Sequence, residues 1–168
     1  MTAWLANWFT QGDSLCFHEG SLSYGSLESL LEINKNDDGR VYGDSNSGLP
    51  LICPEDIIRY QDDFNIGYVN RDFDTCAESY NKVNPDPTTI DTFKVITDVN
   101  KSLQNLLTNI DYAEIPYDNL FSEEDFKIFH QQLTPSIPFC STRYRILKDL
   151  QVTQKVKEVY EREYRRRL

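Results

Sequence analysis

The spacing of apolar residues divides the chain into a first half of short runs and a second half of long helical repeats. Ser14–His18 and Leu49–Cys53 are short apolar runs that predict strands, and Ile66–Val69 predicts a third. Pro54 is followed by two acidic residues, a combination suited to a first helical turn, so we expect a helix from there to about Asp63.

The segment around residues 21–42 fits two structures. Leu30–Asn34 and Arg40–Tyr42 flank Asn36-Asp37-Asp38-Gly39, whose residues tolerate the left-handed backbone of a tight turn, and this favours a β-hairpin. The alternative is an amphipathic helix over Ser21–Ile33 with one face formed by Leu27, Leu30 and Leu31. Periodicity over so short a window leaves both open.

The longest predicted helix follows the rigid break at Pro85-Asp86-Pro87. Thr88 or Thr89 is suited to cap it. Apolar residues then recur every three or four positions at Ile90, Phe93, Ile96, Val99, Leu103, Leu106 and Ile110. We expect the five from Phe93 to Leu106 to form its inner face.

Two further helices are predicted on either side of a linker bracketed by Pro135 and Pro138. The first opens at Ser122 with a near capping box and turns inward Phe126, Phe129 and Leu133. The second runs from Ser141 to the end, with an apolar stripe formed by Ile146, Leu150, Val152, Val156, Val159, Tyr160 and Tyr164. The stripe shifts near Gln151, which allows a bend or a second contact surface there.

Strands in the first half and helices in the second predict an α+β fold, a small antiparallel β element packed against a helical half. With 168 residues the chain is long enough for one domain with a core of its own. We expect residues 1–138 to be an acidic body and residues 139–168 a basic C-terminal helix of the same domain.

Charge is strongly segregated between these two parts. Residues 1–138 carry 8 Lys/Arg against 23 Asp/Glu, whereas residues 139–168 carry 9 against 4. The two parts should therefore attract different partners. This pattern favours a non-enzymatic interaction or adaptor protein with protein partners, an accessory subunit of a nucleoprotein or of a viral or phage-type assembly.

The basic part supplies the candidate contact residues for nucleic acid or an acidic partner: Arg143, Arg145, Tyr160, Arg162, Tyr164, Arg165, Arg166 and Arg167. Guanidinium groups bind phosphate or carboxylate bidentately and stack on aromatic rings. The simpler interpretation is that these cations favour the helix C-terminus or neutralise the acidic body.

A second hypothesis uses the acidic part. Carboxylates that imitate phosphates would let the protein inhibit a nucleic-acid-binding partner, and the candidates for such a surface are Asp62, Asp63, Asp72, Asp74 and Glu78. A plain solvated surface explains the same residues.

An enzyme is the third hypothesis, a small hydrolase using Ser14 or Cys140. Gly12-Asp13-Ser14-Leu15 resembles the nucleophile block of the GDSL serine esterases, over four residues. That family's late Asp-x-x-His is not matched, since Lys127 stands three residues before His130, and a triad needs such a base. We therefore interpret Ser14 as part of a turn that leads into a strand.

Two other motifs are partial. Asn34–Ser45 resembles an EF-hand loop through its oxygen-bearing residues and Gly39, but Ser45 stands where the bidentate glutamate belongs, so a turn is the better interpretation. Cys140 lies too close to Arg145 for a phosphatase loop, and we expect a buried or half-buried structural thiol.

The remaining features indicate what the chain lacks. The spacing of Cys16, Cys53, Cys76 and Cys140 predicts reduced thiols rather than a metal knuckle or disulfide framework. There is no glycine-rich phosphate loop, no membrane-length apolar run and no secretion-signal pattern at the start. We expect no cofactor, no metal and a cytoplasmic setting, and the oligomeric state stays open.

Overall fold

The computed structural model describes residues 2–20, 26–35, 39–83 and 92–149, and within them helices alternate with short strands. The helices are α1 (Thr2–Phe9), α2 (Leu27–Lys35), α3 (Leu49–Ile52), α4 (Pro54–Arg59), α5 (Phe73–Val83), α6 (Thr92–Leu107), α7 (Glu123–Leu133) and α8 (Ser141–Asp149). The strands are β1 (Ser14–His18), β2 (Val41–Ser45), β3 (Gly67–Asn70) and β4 (Ala113–Pro116), and 3₁₀ turns span Gln61–Asp63 and Tyr117–Phe121.

The combination of helices and small strands confirms the coarse α+β class, but the antiparallel β element is wrong. β1 pairs with β2 in parallel, from Ser14 opposite Val41 to His18 opposite Ser45, and β3 pairs with β4 in parallel. Parallel strands need a crossover connection, which α2 provides for the first pair and α5 and α6 for the second.

The predicted hairpin is wrong for the same reason. Its helical alternative is confirmed from Leu27 onward by α2, and positions 21–25 lie outside the described residues. Leu27, Leu30 and Leu31 are all buried on one face of this helix, so tertiary burial decides between the two structures. The Ser26 hydroxyl accepts a hydrogen bond from the Ser29 amide at 3.2 Å and caps the helix start. Positions 36–38 of the predicted turn lie outside the described residues.

The strand predicted at Leu49–Cys53 is also wrong, because this run forms the one-turn helix α3. The Asn46 side-chain oxygen accepts hydrogen bonds from the amides of Gly48 at 2.7 Å and Leu49 at 3.2 Å, which starts the turn. Pro50 then stands in its first positions, where a missing amide hydrogen costs nothing. A short apolar run fits a strand or a helix, and here the hydrogen bonds from the Gly48 and Leu49 amides to Asn46 favour the helix.

The other predictions for the first half are confirmed. A helix begins at Pro54, and helical turns continue to Asp63. Strand β3 covers three of the four residues predicted at Ile66–Val69.

The outer edge of β1 is covered by the chain that leads into it. The Thr10 hydroxyl accepts a hydrogen bond from the Cys16 amide at 2.9 Å and donates one to the Cys16 carbonyl at 3.1 Å. One side chain thus satisfies both main-chain groups that a neighbouring strand would use.

Two apolar clusters lie within the described residues. The first joins α1, β4, the second 3₁₀ turn, α7 and α8, and its buried members are Trp4, Leu5, Trp8, Ile115, Leu120, Phe126, Phe129, Tyr144 and Leu147. The second joins α2, α4 and α6 through Leu27, Leu30, Ile57, Leu106 and Ile110. Helix α7 begins at the predicted cap, where Ser122 accepts from the Asp125 amide.

Helix α6 confirms the longest predicted helix, but its inner face is shifted. Leu106 is buried, whereas Ile96, Val99 and Leu103 are only partly buried. The predicted caps Thr88 and Thr89, and the Phe93 side chain, lie outside the described part of the chain.

We therefore predict that Leu106→Ala lowers the free energy of unfolding by about 2–5 kcal/mol, as truncation of a buried leucine does. Leu103→Ala, on the same helix, is the matched control and should cost clearly less because Leu103 keeps contact with solvent. Urea denaturation followed by circular dichroism measures both. Equal losses in the two variants would contradict the burial of this face.

Candidate functional site

Helix α8, the described part of the basic region, is fixed to the acidic body at its inner face. The Trp4 indole N–H donates to the Leu147 carbonyl at 2.9 Å, and the Tyr144 hydroxyl donates to the Leu120 carbonyl at 2.9 Å. Both side chains are buried. Burial of the Tyr144 phenol raises its pKa to about 12, so the hydroxyl stays protonated as the donor.

The cations of α8 are all engaged with the body. Arg143 donates to the main-chain carbonyls of Asn7 and Thr10, the latter at 2.8 Å, where the exposed carbonyls at the end of α1 carry partial negative charge. Arg145 Nε lies 3.1 Å from Glu123 Oε2, and Lys148 Nζ donates to the Phe121 carbonyl at 2.7 Å. Hydrogen bonds from Ser141 and Arg145 lower the pKa of Glu123 and keep it ionised as a partner.

The arrangement divides the candidate basic residues into two groups. Arg143 and Arg145 lie on α8: Arg143 donates to main-chain carbonyls at the end of α1, whereas Arg145 contacts Glu123 through Nε and is 70% exposed. The other candidates lie outside the described residues: Tyr160, Arg162, Tyr164, Arg165, Arg166 and Arg167.

The outer side of α8 is apolar at one position. Ile146, predicted to start the apolar stripe of the last helix, is 59% exposed, and Tyr144 and Leu147 fill the core instead. This helix therefore has an inward apolar face and an isolated outward isoleucine at position 146.

The candidate acidic residues lie at exposed positions on two elements. Asp62 and Asp63 are in the first 3₁₀ turn, and Asp74 and Glu78 are on α5. Asp72 caps α5: its carboxylate accepts from the Thr75 amide at 2.8 Å and from the Thr75 hydroxyl. These bonds lower the Asp72 pKa, so this carboxylate has a structural task that the sequence did not indicate.

Ser14 lies where the turn interpretation places it, at the start of β1. Its side chain is buried, and the hydroxyl donates to the Phe9 carbonyl. His18 Nε2 instead lies 3.0 Å from Thr2 Oγ1, and His130 is bound within the first cluster. Neither histidine is therefore placed as a base for Ser14.

His130 is the polar group of the first cluster, and the sequence indicated it only as an unmatched triad position. The ring is fully buried; Nδ1 accepts from the Trp8 indole N–H at 3.1 Å, so Nε2 carries the proton and donates to the Ile137 carbonyl at 2.8 Å. Burial lowers its pKa, against a smaller opposing effect of the Ile137 hydrogen bond. His130 lies four positions after Phe126 and directly after Phe129 on α7. This spacing on the apolar side of a helix is the sequence feature that could have predicted a core histidine.

All four cysteines are free, as predicted. Burial raises the pKa of Cys16 to about 12, assisted by the nearby Asp44 carboxylate, and burial also raises the pKa of Cys53 and Cys76. Such thiols are weak nucleophiles at neutral pH. The prediction that Cys140 is at least half-buried is wrong: it lies exposed just before α8.

The EF-hand-like segment Asn34–Ser45 runs from the end of α2 into β2. Asp44 accepts from the Gly20 amide at 3.0 Å and from the Asn46 side-chain amide at 3.1 Å, which joins the loops that follow the two strands. Among the described residues, no group of three or more histidine, cysteine, aspartate or glutamate side chains is placed to hold a metal ion.

Within the same described ranges, no helix combines the length and apolar character that crossing a membrane requires.

Comparison with known proteins gave no match: no family model fits the chain, and neither a curated protein nor a solved structure is significantly similar to it.

Proposed function

We propose that this protein is a non-enzymatic adaptor, an accessory subunit of a nucleoprotein or of a viral or phage-type assembly. Its acidic body docks a basic partner, and its C-terminal segment, residues 150–168, contacts nucleic acid or an acidic protein surface. The observation that supports this is an excess of positive charge: the three cations of α8 are bound to the body, yet residues 150–168 still carry six Lys/Arg against three Asp/Glu.

Four of those cations are the arginines at positions 162, 165, 166 and 167. Attachment of the described part of the basic region is supplied by α8. The guanidinium groups of these four arginines are suited to phosphate and carboxylate oxygens, which they bind through paired hydrogen bonds.

We predict that replacing Arg162, Arg165, Arg166 and Arg167 together with glutamine removes most of the binding to a labelled single-stranded RNA. The melting temperature should fall by no more than about 8 °C, because we expect each of the four substitutions to cost at most about 0.5 kcal/mol, and 1 kcal/mol corresponds to about 2–4 °C in a chain of this size. Fluorescence anisotropy at several salt concentrations measures the affinity. In a plot of the logarithm of the binding constant against the logarithm of the salt concentration, the line is less steep for the variant. The magnitude of the slope should decrease by about 0.7 for every RNA phosphate that the variant no longer neutralises, or by about 0.9 on duplex DNA.

Arg145→Gln is the matched control, since it removes a cation that is paired with Glu123. It should leave RNA affinity nearly unchanged. Equal affinity in the quadruple variant and the wild type would assign the arginine cluster to structure. Binding to polyglutamate but to neither RNA nor DNA would select the acidic protein surface as the target.

A further inference from the structure

One outward surface of the acidic body is apolar as well as acidic. From α3 to the 3₁₀ turn, the residues that pack on the second cluster recur every three or four positions: Leu49, Cys53, Ile57, Tyr60 and Phe64. Between them lie residues of α3, α4 and the 3₁₀ turn that are exposed to solvent. We call the following residues among them the α3–α4 face: Leu51, Ile52, Glu55, Ile58, Asp62 and Asp63.

Three of these six are large aliphatic side chains in contact with solvent. Leu51 is 46% exposed, Ile52 64% and Ile58 39%. The other large exposed apolar side chains in the described structure are dispersed, each in a different element or loop. Single exposed apolar residues are ordinary, but three such large aliphatic residues between positions 51 and 58 indicate a contact surface.

The charge of the α3–α4 face defines what it attracts. Glu55, Asp62 and Asp63 are exposed beside the aliphatic side chains. Arg59 is the one cation in this fully described stretch, and its guanidinium lies over the neighbouring Tyr60 ring, 5.9 Å from the centroid. A matching partner segment is therefore apolar along one side and basic.

The chain itself contains such a segment. Residues 150–168 carry a net positive charge, and valines at positions 152, 156 and 159 are spaced by four and three. Helix α8 is bound to the first cluster, whereas the α3–α4 face lies over the second. The last described helix before the basic segment and the α3–α4 face thus pack on different clusters. The basic segment and the face are complementary in charge and apolar character.

We infer that the basic segment of one copy docks on the α3–α4 face of a second copy. This inference rests on the proposed role of the acidic body as a docking surface, and it names the partner. Because two different surfaces meet, the contact is head-to-tail and can continue from copy to copy. Association should weaken steeply with salt, since the attracting charges are exposed.

The test is sedimentation velocity of the full chain from low micromolar to several hundred micromolar protein, at low and at high salt. The wild type should form species that grow with concentration at low salt. Ile52→Ser/Ile58→Ser disables the face, and Val156→Ser/Val159→Ser disables the segment; each should weaken self-association at least tenfold. Ile128→Ser is the matched control, because this isoleucine is 55% exposed on α7, away from the face.

Mixing the two disabled variants is decisive for the head-to-tail geometry. One variant keeps an intact segment and the other an intact face, so the equimolar mixture should form a dimer that does not grow further. A wild type that stays monomeric at all concentrations would overturn the inference. So would self-association of the segment variant alone, which indicates contact between two faces, or a mixture that remains monomeric.

RNA binding of the same variants separates this inference from the nucleic-acid proposal. The serine substitutions leave the arginines in place, so RNA affinity should change less than twofold. Weakened self-association with retained RNA binding supports both proposals. Monomeric wild-type protein that still binds RNA through its arginines overturns only the head-to-tail contact.

Discussion

Replacing Trp8 with alanine should lower the free energy of unfolding by about 3–5 kcal/mol, the range found when a buried tryptophan is truncated. The indole is fully buried, and its ring centroid lies 5.1 Å from that of Phe126 and 5.0 Å from that of Phe139. The substitution also removes the N–H that donates to His130 Nδ1. The Thr134 hydroxyl lies 3.0 Å from the same nitrogen, so most of the loss comes from the missing packing.

Urea denaturation of the wild type and the variant measures this loss. Ile128→Ala is the control, because an exposed side chain should change stability by no more than about 0.5 kcal/mol. A Trp8→Ala variant whose free energy of unfolding stays within about 1 kcal/mol of the wild type would place α1 outside the core.

Lowering the pH below about 6.5 should destabilise the protein through His130. The pKa of the buried imidazole is below its ordinary value, so the unfolded chain takes up the proton first as pH falls. Above the pKa of the unfolded chain, this histidine does not reduce stability. As the pH falls from that pKa to the pKa of the folded protein, the free energy of unfolding decreases by at most about 1.4 kcal/mol for each pH unit. A proton on Nδ1 would also face the Trp8 N–H donor.

The comparison is between wild type and His130→Gln at several pH values between about 7 and 5, above the range in which most carboxylates titrate. The variant should be less stable throughout but show a flatter dependence on pH. Parallel curves for wild type and His130→Gln would show that another group controls this range.

Much of the helical structure is predictable because its signals are local. Helix α7 begins where Ser122 caps it, and α4 begins at Pro54, which its position before two acidic residues indicates. These features depend on residues within one turn of each other. The longest helix is predictable because its apolar period persists over several turns.

The errors concern structure that distant parts of the chain decide. The turn tract before β2 predicts a hairpin, but the partner of β2 is β1, reached across α2. The sequence predicts no element at α1, because Trp4, Leu5, Ala6 and Trp8 are apolar on almost every side and leave no polar period. This composition is explained by the contacts of α1, which packs against both helices and strands. Those partners are distant in the chain, so positions 2–9 alone do not indicate them.

The candidate site shows the same division. The charge of the basic region identifies it in the sequence, but charge does not separate Arg143 from the later arginines. That separation depends on carbonyls 133 and 136 positions away, at the end of α1. The acidic residues are visible as charge in the sequence, whereas the solvent exposure of Ile52 and Ile58 is known only from the structure.

The joining of α1 to α7 and α8 determines when this protein can fold during its synthesis. The hydrogen bond from Trp4 to Leu147 spans 143 positions, and Trp8 reaches His130 across 122. At about 5–20 residues per second, the two tryptophans wait roughly 7–30 s before their partners have been translated. During that interval the most aromatic helix of the core is exposed on the nascent chain. The first cluster can thus form only after position 147 has been translated, and a factor that shields α1 until then should raise the yield of folded protein.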